Sequence, residues 1–450
     1  MTDTSHGQPN LGVAAVVGVV LVGLLAATAL LLMEFGTTEA WTAMIIGPAL
    51  FVVTIPMLLR QATRENDRRL VWILIAALFM KLVGSAIRYY VTFEVYERAD
   101  ATGYHDWGVE LYEGFRQGNF SHPFDQLVGT NFIRYFTGLV YAAIGPSRLG
   151  GFLIFSWLGF IGLFYFYRAF VTGVPEGHRR KYAVLLFFLP SLVFWPSSIG
   201  KESWMMFSLG ISAFGVSKIL TGKLGWGLPI TGLGLWLAAL PRPHVAGLIA
   251  VALAGAYVVR PSRGRSVLAP VGKGLAMALL GALAVVLVIR TDQFLKDAGI
   301  NTSAGVAGTL QDTASRTQQG GSQFAPSILQ SPVRAPVAVV TVLFRPFVFE
   351  AHNAQALVAA VESSFLLLLA MVRFRWGFAA LASIRRQPYV AFALIYTGLF
   401  VVAFSSLANF GLLARERVQV LPLFLVLISV PPKPAPNDVP PLRTEARVPA

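Results

Sequence analysis

The sequence predicts an all-α, polytopic membrane protein, a transmembrane helical bundle with about 12 spans. Of its 450 residues, 55% are hydrophobic and only 13% are charged, whereas a soluble domain of this size carries about 25% charge. The hydrophobic residues form long blocks, and Leu11–Met33 contains no charge. About 20 apolar residues let a helix cross hydrocarbon, where each segment must satisfy its own backbone hydrogen bonds.

Basic residues set the predicted orientation, because Lys and Arg accumulate in cytoplasmic loops. That rule explains the net charge of +14 better than nucleic-acid binding does. The clusters assigned to the cytoplasm are Arg60/Arg64/Arg68/Arg69, Arg179/Arg180/Lys181, Arg260/Arg263/Arg265 and Arg373/Arg375/Arg385/Arg386. The spans that satisfy this assignment lie near 11–33, 42–59, 70–91, 148–170, 182–198, 203–220, 225–240, 244–260, 270–290, 354–372, 388–408 and 418–431. Residues 1–430 then form one domain of the cell membrane, with both termini inside.

Two hydrophobic stretches, 127–144 and 337–349, do not fit as spans. If one of them is counted as a span, a later basic cluster moves to the outer face. If both are counted, the basic clusters between them lie on the outer face. We interpret both as juxtamembrane or re-entrant segments on the outer face, where protein or a wet cavity can cover irregular backbone. The alternative is that one is a true span and the charge rule fails locally.

Two loops on the predicted outer face are large. Residues 92–147 form an acidic loop, which holds Glu94, Glu97, Asp100, Asp106, Glu110, Glu113 and Asp125 against Arg98, Arg116 and Arg134. Residues 291–333 form a second loop, whose middle, 311–323, is polar and predicted to be mobile, as a lid or, preferably, a linker. The Pro-rich tail 431–450 is predicted to be disordered and cytoplasmic. The chain lacks cysteine, which excludes disulfides.

Ionisable residues recur at the outer ends of the hydrophobic segments. The candidate substrate-binding residues in this group are Arg88, Lys201, Glu202, Arg242, His244, Arg345, Glu350, Arg415 and Arg417. Snorkelling or a local ion pair explains any one of them, but their presence together on one face favours a shared ligand site. Lys81, deeper in the third span, is expected to be paired inside the bundle.

The acidic loop carries the candidate catalytic residues Asp100, His105 and Asp106, with Tyr104 as a substrate-binding candidate. Apolar side chains recur every four residues at Trp107, Leu111 and Phe115, before a stop at Gly118. This pattern predicts a short amphipathic helix on the membrane surface. Asp100 could deprotonate a hydroxyl acceptor, assisted by His105 or Asp106, while cations balance a phosphate leaving group. The alternative is that these acids are ordinary solvated residues.

No phosphate-binding Gly loop or dinucleotide fingerprint occurs in the short cytoplasmic loops. The pattern resembles the GT-C superfamily of membrane glycosyltransferases, which includes the protein O-mannosyltransferase and aminoarabinose transferase families. Span 70–91, the large loop after it, and Asp100-Ala-Thr-Gly-Tyr104-His105 are similar to that superfamily's early Asp-x-x-x-Tyr pattern. The surface helix and segment 127–144 follow in the same order. Later strings around Lys201, Arg345 and Arg415 look like uncharacterised membrane proteins of bacterial polysaccharide clusters.

The resemblance covers about residues 70–430. It implies transfer of a sugar from a polyprenyl-phosphate donor to a glycan, lipid or protein acceptor on the outer face, in cell-envelope synthesis. It also implies that Asp100 is the base or a ligand to a divalent metal. The chain departs from the pattern in having Ala101 where the family often has a second acid, which weakens the metal assignment, and in having two extra spans, 11–33 and 42–59.

Two other classes of protein stay open. A polysaccharide polymerase or ligase with a lipid-diphosphate donor would use outer arginines more than an acidic base. A transporter or flippase for lipid-linked sugar would place charge at the bilayer midplane and show internal repeats. No clear repeat is visible in the sequence, and Lys81 is the main deep charge.

Overall fold

The computed structural model describes residues 38–96, 99–261, 305–318, 322–326 and 332–432, with scattered helical residues at 18–27 and 274–299. Throughout these residues the regular structure is helical, apart from one β-bridge between Gln323 and Asn409. The helices are α1 Thr38–Glu65, α2 Arg68–Tyr90, α3 Asp100–Arg116, α4 Thr130–Ile144, α5 Arg148–Gly173, α6 Arg179–Phe188, α7 Pro190–Phe194, α8 Lys201–Leu220, α9 Leu224–Ala239, α10 Pro243–Val259, α11 Gly305–Thr317, α12 Ala335–Phe344, α13 Ala354–Val372, α14 Phe374–Ser383, α15 Pro388–Phe404, α16 Phe410–Arg417 and α17 Leu421–Leu427.

Five of these elements are long and apolar enough to cross a membrane. They are α1, α2 with the π-helical turn that extends it to Val95, α5, α8 and α13. A sixth span results if α14 and α15, which are bent by 119°, count as one broken helix. The chain is therefore a helical, membrane-embedded protein. The described residues contain fewer full-length spans than the predicted twelve, and only scattered residues of predicted spans 11–33 and 270–290 are among them.

Proline and helix length account for the other differences in span count. The stretch 182–198 is not one helix, because Leu189 is extended before Pro190, which has no backbone N–H to continue the hydrogen-bond pattern. Helices α9 and α10 have 16 and 17 residues, at or below the lower limit for a span. In 418–431 the α-helix covers only the 7 residues of α17.

Three predicted non-spanning segments contain helical residues. Segment 127–144 forms α4, with 15 residues, and segment 337–349 contains most of α12, with 10 residues. Both helices are too short to cross about 30 Å of hydrocarbon at 1.5 Å per residue. The predicted mobile segment 311–323 begins within α11, a helix of 13 residues. Residues 433–450 of the predicted disordered tail lie outside the described residues.

Basic residues from separate parts of the sequence meet at one end of the bundle, which we call the basic end. Arg180 forms two hydrogen bonds of 2.6 and 2.9 Å with Asp67, which links the start of α6 to the α1–α2 turn. Lys181 and Arg373 both lie 4.9 Å from the ring centroid of Trp376. Helix α2 runs from this end to the opposite one, the loop end, where the acidic loop follows it.

Close contact of α5 and α8 fixes α8 along the bundle. A Cβ atom at Gly162 would lie 2.1 Å from the carbonyl oxygen of Met206, and one at Gly210 would lie 2.1 Å from that of Gly162. Small residues at such a crossing let two helix backbones approach each other directly. The crossing therefore fixes the position of α8 against α5, and the first residue of α8, Lys201, lies at the loop end.

Replacing Gly162 with Ala is expected to lower the free energy of unfolding by about 1–3 kcal/mol, because the new methyl group forces the helices apart. Gly47→Ala in α1 is the matched control, since a Cβ there has no neighbour within 4 Å. It should leave stability unchanged or raise it by up to about 1 kcal/mol. Thermal unfolding of the detergent-solubilised variants measures both effects, and equal midpoints would contradict the described packing.

Candidate functional site

A cavity of about 650 Å³ opens at the loop end, and we call it the loop-end cavity. Its walls come from the ends of α2, α3, α4, α8 and α16, which are far apart in the sequence. The lining residues are Arg88, Ala99, Asp100, Ala101, Gly103, Tyr104, Thr130, Arg134, Ser198, Ile199, Lys201, Glu202 and Arg415. The structure thus brings six of the predicted site residues together: Arg88, Asp100, Tyr104, Lys201, Glu202 and Arg415.

Helix α3 carries Asp100 and Tyr104 into the cavity wall. The helix begins at Asp100 after the extended residue Ala99, and Gly118 follows its end with φ of 81°. The helix is amphipathic, with its buried residues along one face: Ala101, Tyr104, Gly108, Leu111 and Phe115. Of the predicted apolar positions, Leu111 and Phe115 are buried and Trp107 is partly exposed. The Asp100 side chain lies at the helix start and stays 60% exposed, so its carboxylate is open to a ligand.

Helix α4 packs along α3 and adds one more cation. The two helices come together at Gly108, where a Cβ would lie 2.6 Å from the Thr137 side chain. Arg134 lies 5.3 Å from the Trp107 ring centroid and donates a 3.1 Å hydrogen bond to Asn131. Because α4 is fixed on α3 in this way, Arg134 and Asp100 face the same space.

The buried turn before α8 brings a helix N-terminus to the cavity. Ser203 donates a 2.9 Å hydrogen bond to the carbonyl of Ser198, which closes the turn over the first residues of α8. Lys201 and Glu202 then occupy the first turn of this 20-residue helix. The amides at a helix N-terminus carry partial positive charge, so they add to the attraction of an anion.

An ion-pair network holds the cationic side of the cavity in place. Arg415 donates from Nη1 to Asp100 at 2.6 Å and from Nε to Glu202 at 2.7 Å. Arg242 lies behind the cavity wall, where it bonds to Glu202 at 3.0 Å and also to Glu416. Burial opposes the charge of Arg415, but the Glu202 carboxylate outweighs it and raises the pKa of Arg415 above its ordinary value. Arg415 is therefore a fixed cation.

Arg88 and Lys201 form no ion pair with any residue that the structure describes. The Arg88 guanidinium lies 4.7 Å from the Phe194 ring centroid and 4.8 Å from that of Trp195. Its Nε is buried and has no hydrogen-bond partner. Aromatic rings hold a guanidinium in place without neutralising it. With Arg134 and Arg415, these two side chains put four cations on the wall against two carboxylates, so the cavity suits an anion.

Tyr104 supplies a neutral donor beside these charges. Burial raises the pKa of its hydroxyl to about 12, so the side chain stays protonated at neutral pH. A protonated phenol donates a hydrogen bond and adds no negative charge to an anion site.

Two of the three predicted catalytic residues do not reach the cavity. His105 turns toward α4, where its Nδ1 lies 2.7 Å from the Tyr141 hydroxyl, and burial lowers its pKa. Asp106 is exposed to solvent. Successive residues point about 100° apart around a helix, so both leave the face that carries Asp100 and Tyr104. The structure thus places His105 in a contact between α3 and α4 and Asp106 at the surface, outside the residues that line the cavity.

Five predicted binding residues are also absent from the cavity wall. Arg242 lies behind Glu202, as described above, and the His244 ring centroid is 6.2 Å from that of Phe404. The Nε of Arg345 donates to Oε1 and Oε2 of Glu350 at 3.0 and 3.1 Å. The Nη2 of Arg345 also donates to Oε1 of Glu350.

Arg417 is fully buried and is held by the protein interior. It donates to the carbonyls of Leu343 and Arg345 at 3.1 and 2.8 Å and to the Ser363 hydroxyl at 2.9 Å. The deep Lys81 is partnered by backbone: its Nζ donates to the carbonyls of Leu192 and Val193 at 2.8 and 3.4 Å.

Sequence reasoning missed Arg134, Thr130 and the structural role of Glu416. Arg134 was visible only as one of three arginines in an acidic loop, and its position in the helix of segment 127–144 was the usable signal. Glu416 stands between the candidate residues Arg415 and Arg417, and the alternating charges of these three residues indicate an ion pair. No feature of the sequence singles out Thr130.

The donor set fits an anion better than a divalent metal. Among the described residues no three His, Cys, Asp or Glu side chains come close enough to share a metal ion. The two carboxylates on the wall, Asp100 and Glu202, already accept hydrogen bonds from Arg415. A metal ion would have to displace that guanidinium and lie among three further cations.

The fold and the cavity define a class: a membrane-embedded helical protein with a cation-rich polar cavity at one end of its bundle. The sequence matches no known family model, and comparison with curated proteins and with solved structures found no significant similarity.

Proposed function

We propose that the protein is a membrane glycosyltransferase of the cell envelope. It moves a sugar from a polyprenyl-phosphate donor to a hydroxyl acceptor on the extracytoplasmic face of the cell membrane. One observation carries the proposal: a single cavity combines the accessible carboxylate of Asp100 with the cations of Arg88 and Lys201. The resemblance of the acidic loop to GT-C glycosyltransferases supports the same function.

The donor phosphate binds between Arg88 and Lys201 in this proposal. Both cations are already desolvated in part and neither is neutralised by a carboxylate, so a phosphate gains charge-assisted hydrogen bonds. Arg88 lies near the end of a membrane-crossing helix, and its neighbours Ile87 and Tyr90 are exposed. A polyprenyl tail can therefore stay in the bilayer while its phosphate reaches the cavity.

Asp100 is the general base of the proposed reaction. It takes the proton from the acceptor hydroxyl while that oxygen forms a bond to the anomeric carbon. The bond from that carbon to the phosphate oxygen breaks, and polyprenyl phosphate leaves with the electron pair. Arg88, Lys201 and Arg415 stabilise the charge that grows on the leaving phosphate, and such stabilisation in a partly dry site is a large part of catalysis.

A second candidate uses the same cavity for a lipid-diphosphate donor, as in a polysaccharide polymerase or ligase. The pairing of Asp100 with Arg415 at 2.6 Å favours it, because the carboxylate then serves to hold a cation. In that reaction the cations, and not Asp100, carry the chemistry. Substitution of Asp100, argued in the Discussion, separates the two candidates.

The double substitution Arg88→Gln/Lys201→Gln tests the phosphate site. We expect the donor to bind at least about 10–100-fold more weakly, because loss of even one of the two charged hydrogen bonds costs about 1.5–3 kcal/mol. Radiolabelled short-chain polyprenyl-phosphate hexoses in nanodiscs are suitable probes, with polyprenyl phosphate release and sugar on the acceptor as the readout of transfer.

Arg116→Gln is the matched control, since Arg116 is an exposed arginine at the far end of α3 and does not line the cavity. It should keep the wild-type affinity. Equal affinity in all three proteins would contradict the phosphate site. Flux of intact donor without any release of polyprenyl phosphate would contradict the transferase.

A further inference from the structure

A second cavity lies between α1 and α5, at the opposite end of the bundle from the loop-end cavity. Its volume is about 310 Å³. We call it the basic-end cavity, and it is lined by Val53, Pro56, Met57, Arg60, Gln61, Arg64, Phe164 and Arg168. No carboxylate is among these lining residues, although three of them are arginines.

The acid nearest in sequence to these arginines is already occupied. The Oε2 of Glu65 accepts a 2.9 Å hydrogen bond from Tyr167 and lies 3.5 Å from Arg179, and its Oε1 accepts one of 2.7 Å from Gln61. The guanidinium groups of Arg60, Arg64 and Arg168 form no ion pair and no hydrogen bond with any residue that the structure describes. Three guanidinium groups around one cavity repel each other unless an anion joins them.

Aromatic packing holds this charge at the cavity. The Arg168 guanidinium lies 4.4 Å from the ring centroid of Phe214, and the Lys218 ammonium lies 4.9 Å from the same centroid. The ring orients both cations without reducing their charge. Lys218 thus adds a fourth positive charge beside the three arginines of the lining.

The lipid-facing side of α1 borders the cavity. Val53 lines it and is 67% exposed, and Val52 beside it is also exposed. In a chain that crosses the membrane, an exposed apolar face of this kind contacts hydrocarbon. The arginines then lie where α1 leaves the hydrocarbon, at the depth of lipid headgroups.

We propose that the basic-end cavity binds the phosphate headgroup of an anionic phospholipid, with Arg60, Arg64 and Arg168 as its ligands. The acyl chains lie against Val52 and Val53 on α1. This site is separate from the loop-end cavity and takes no part in the proposed transfer reaction. A soluble phosphate has the same headgroup chemistry but no acyl chains, so only a lipid uses the apolar half of the site.

Native mass spectrometry of the purified full-length chain, titrated with phosphatidylglycerol or phosphatidylcholine, tests the proposal. We expect the wild type to retain phosphatidylglycerol preferentially. Arg60→Gln/Arg64→Gln/Arg168→Gln should weaken the tightest phosphatidylglycerol binding by at least about tenfold. The matched control is Arg375→Gln/Arg385→Gln/Arg386→Gln, which removes three exposed arginines, two of them on a cavity shared with Glu176.

Equal loss of phosphatidylglycerol in the two triple variants would overturn the proposal, because general charge attraction would then explain the binding. Release of the lipid by millimolar inorganic phosphate would also overturn it, in favour of a soluble-anion site. Thermal unfolding provides a second measurement: added phosphatidylglycerol should raise the wild-type midpoint and leave that of the cavity variant unchanged. If the triple variant does not fold, the single variant Arg64→Gln replaces it, because Arg64 is at an exposed position. This variant should lose part of the shift.

Discussion

Replacing Asp100 with Asn is expected to lower the rate of sugar transfer by about 10²–10⁴-fold, the usual contribution of a general base. The amide has nearly the size of the carboxylate and can still accept a hydrogen bond from Arg415, so the cavity keeps its shape. It cannot take a proton from the acceptor hydroxyl. Donor affinity should change much less, because the phosphate is bound by Arg88 and Lys201.

Asp106→Asn is the matched control for this substitution. Asp106 lies on the same helix, six residues after Asp100, but it is exposed and does not line the cavity. Its loss should leave the rate within about twofold of wild type, as for most surface positions. The measurement is the initial rate of polyprenyl phosphate release, together with donor binding to the same preparations.

Unimpaired transfer in the Asp100→Asn variant would contradict the role of Asp100 as base. If transfer then failed on substitution of Arg415, the lipid-diphosphate candidate would be favoured, because its chemistry depends on cations. Loss of donor binding in Asp100→Asn would instead mean that Asp100 acts by positioning Arg415. The three results are distinct, so one set of variants decides between the base, the cationic mechanism and a positioning role.

The sequence was most informative about those residues of the candidate site whose placement follows from their position along the chain. Asp100 and Tyr104 are four residues apart, which puts them on one face of a helix. Arg88, Lys201 and Arg415 stand at the ends of hydrophobic segments, which predicts their level in the membrane. Arg345 and Arg417 stand at similar ends, yet Arg345 pairs with Glu350 and Arg417 is buried against backbone carbonyls.

The difference between the residues that line the cavity and Arg345 and Arg417 has a physical cause. Hydropathy gives the depth of a residue along the membrane normal, but the direction of its side chain around the helix depends on tertiary packing. For Arg417 that packing is against Leu343 and Ser363, which are 74 and 54 residues away in the chain. No local pattern reports contacts of that sequence separation.

The predicted spans were likewise correct where a local sequence pattern decides the structure. Spans 42–59, 70–91, 148–170, 203–220 and 354–372 each fall within a long apolar helix, because a continuous apolar block specifies a helix by itself. Span 182–198 did not account for Pro190, which follows the end of α6 and starts α7. The stretch is therefore two short helices, and the turn after α7 places Ser198 in the cavity wall.

Glu202→Gln is expected to lower the free energy of unfolding by about 3–5 kcal/mol, the usual cost of leaving a buried partner charge unpaired. The Glu202 side chain is only 4% exposed and accepts hydrogen bonds from both Arg242 and Arg415. Gln has nearly the same size, so the substitution removes charge and little packing. Two guanidinium groups then share the remaining carboxylates, Asp100 and Glu416.

Glu110→Gln provides the control, because Glu110 is exposed on α3 and its loss should change stability by less than about 0.5 kcal/mol. Chemical unfolding of both variants in the same detergent measures the difference. Because Glu202 also fixes the guanidinium that reaches Asp100, Glu202→Gln should reduce transfer even at temperatures where the protein stays folded. A variant as stable and as active as wild type would show that Arg415 is held by Asp100 alone, and that the network behind the cavity is dispensable.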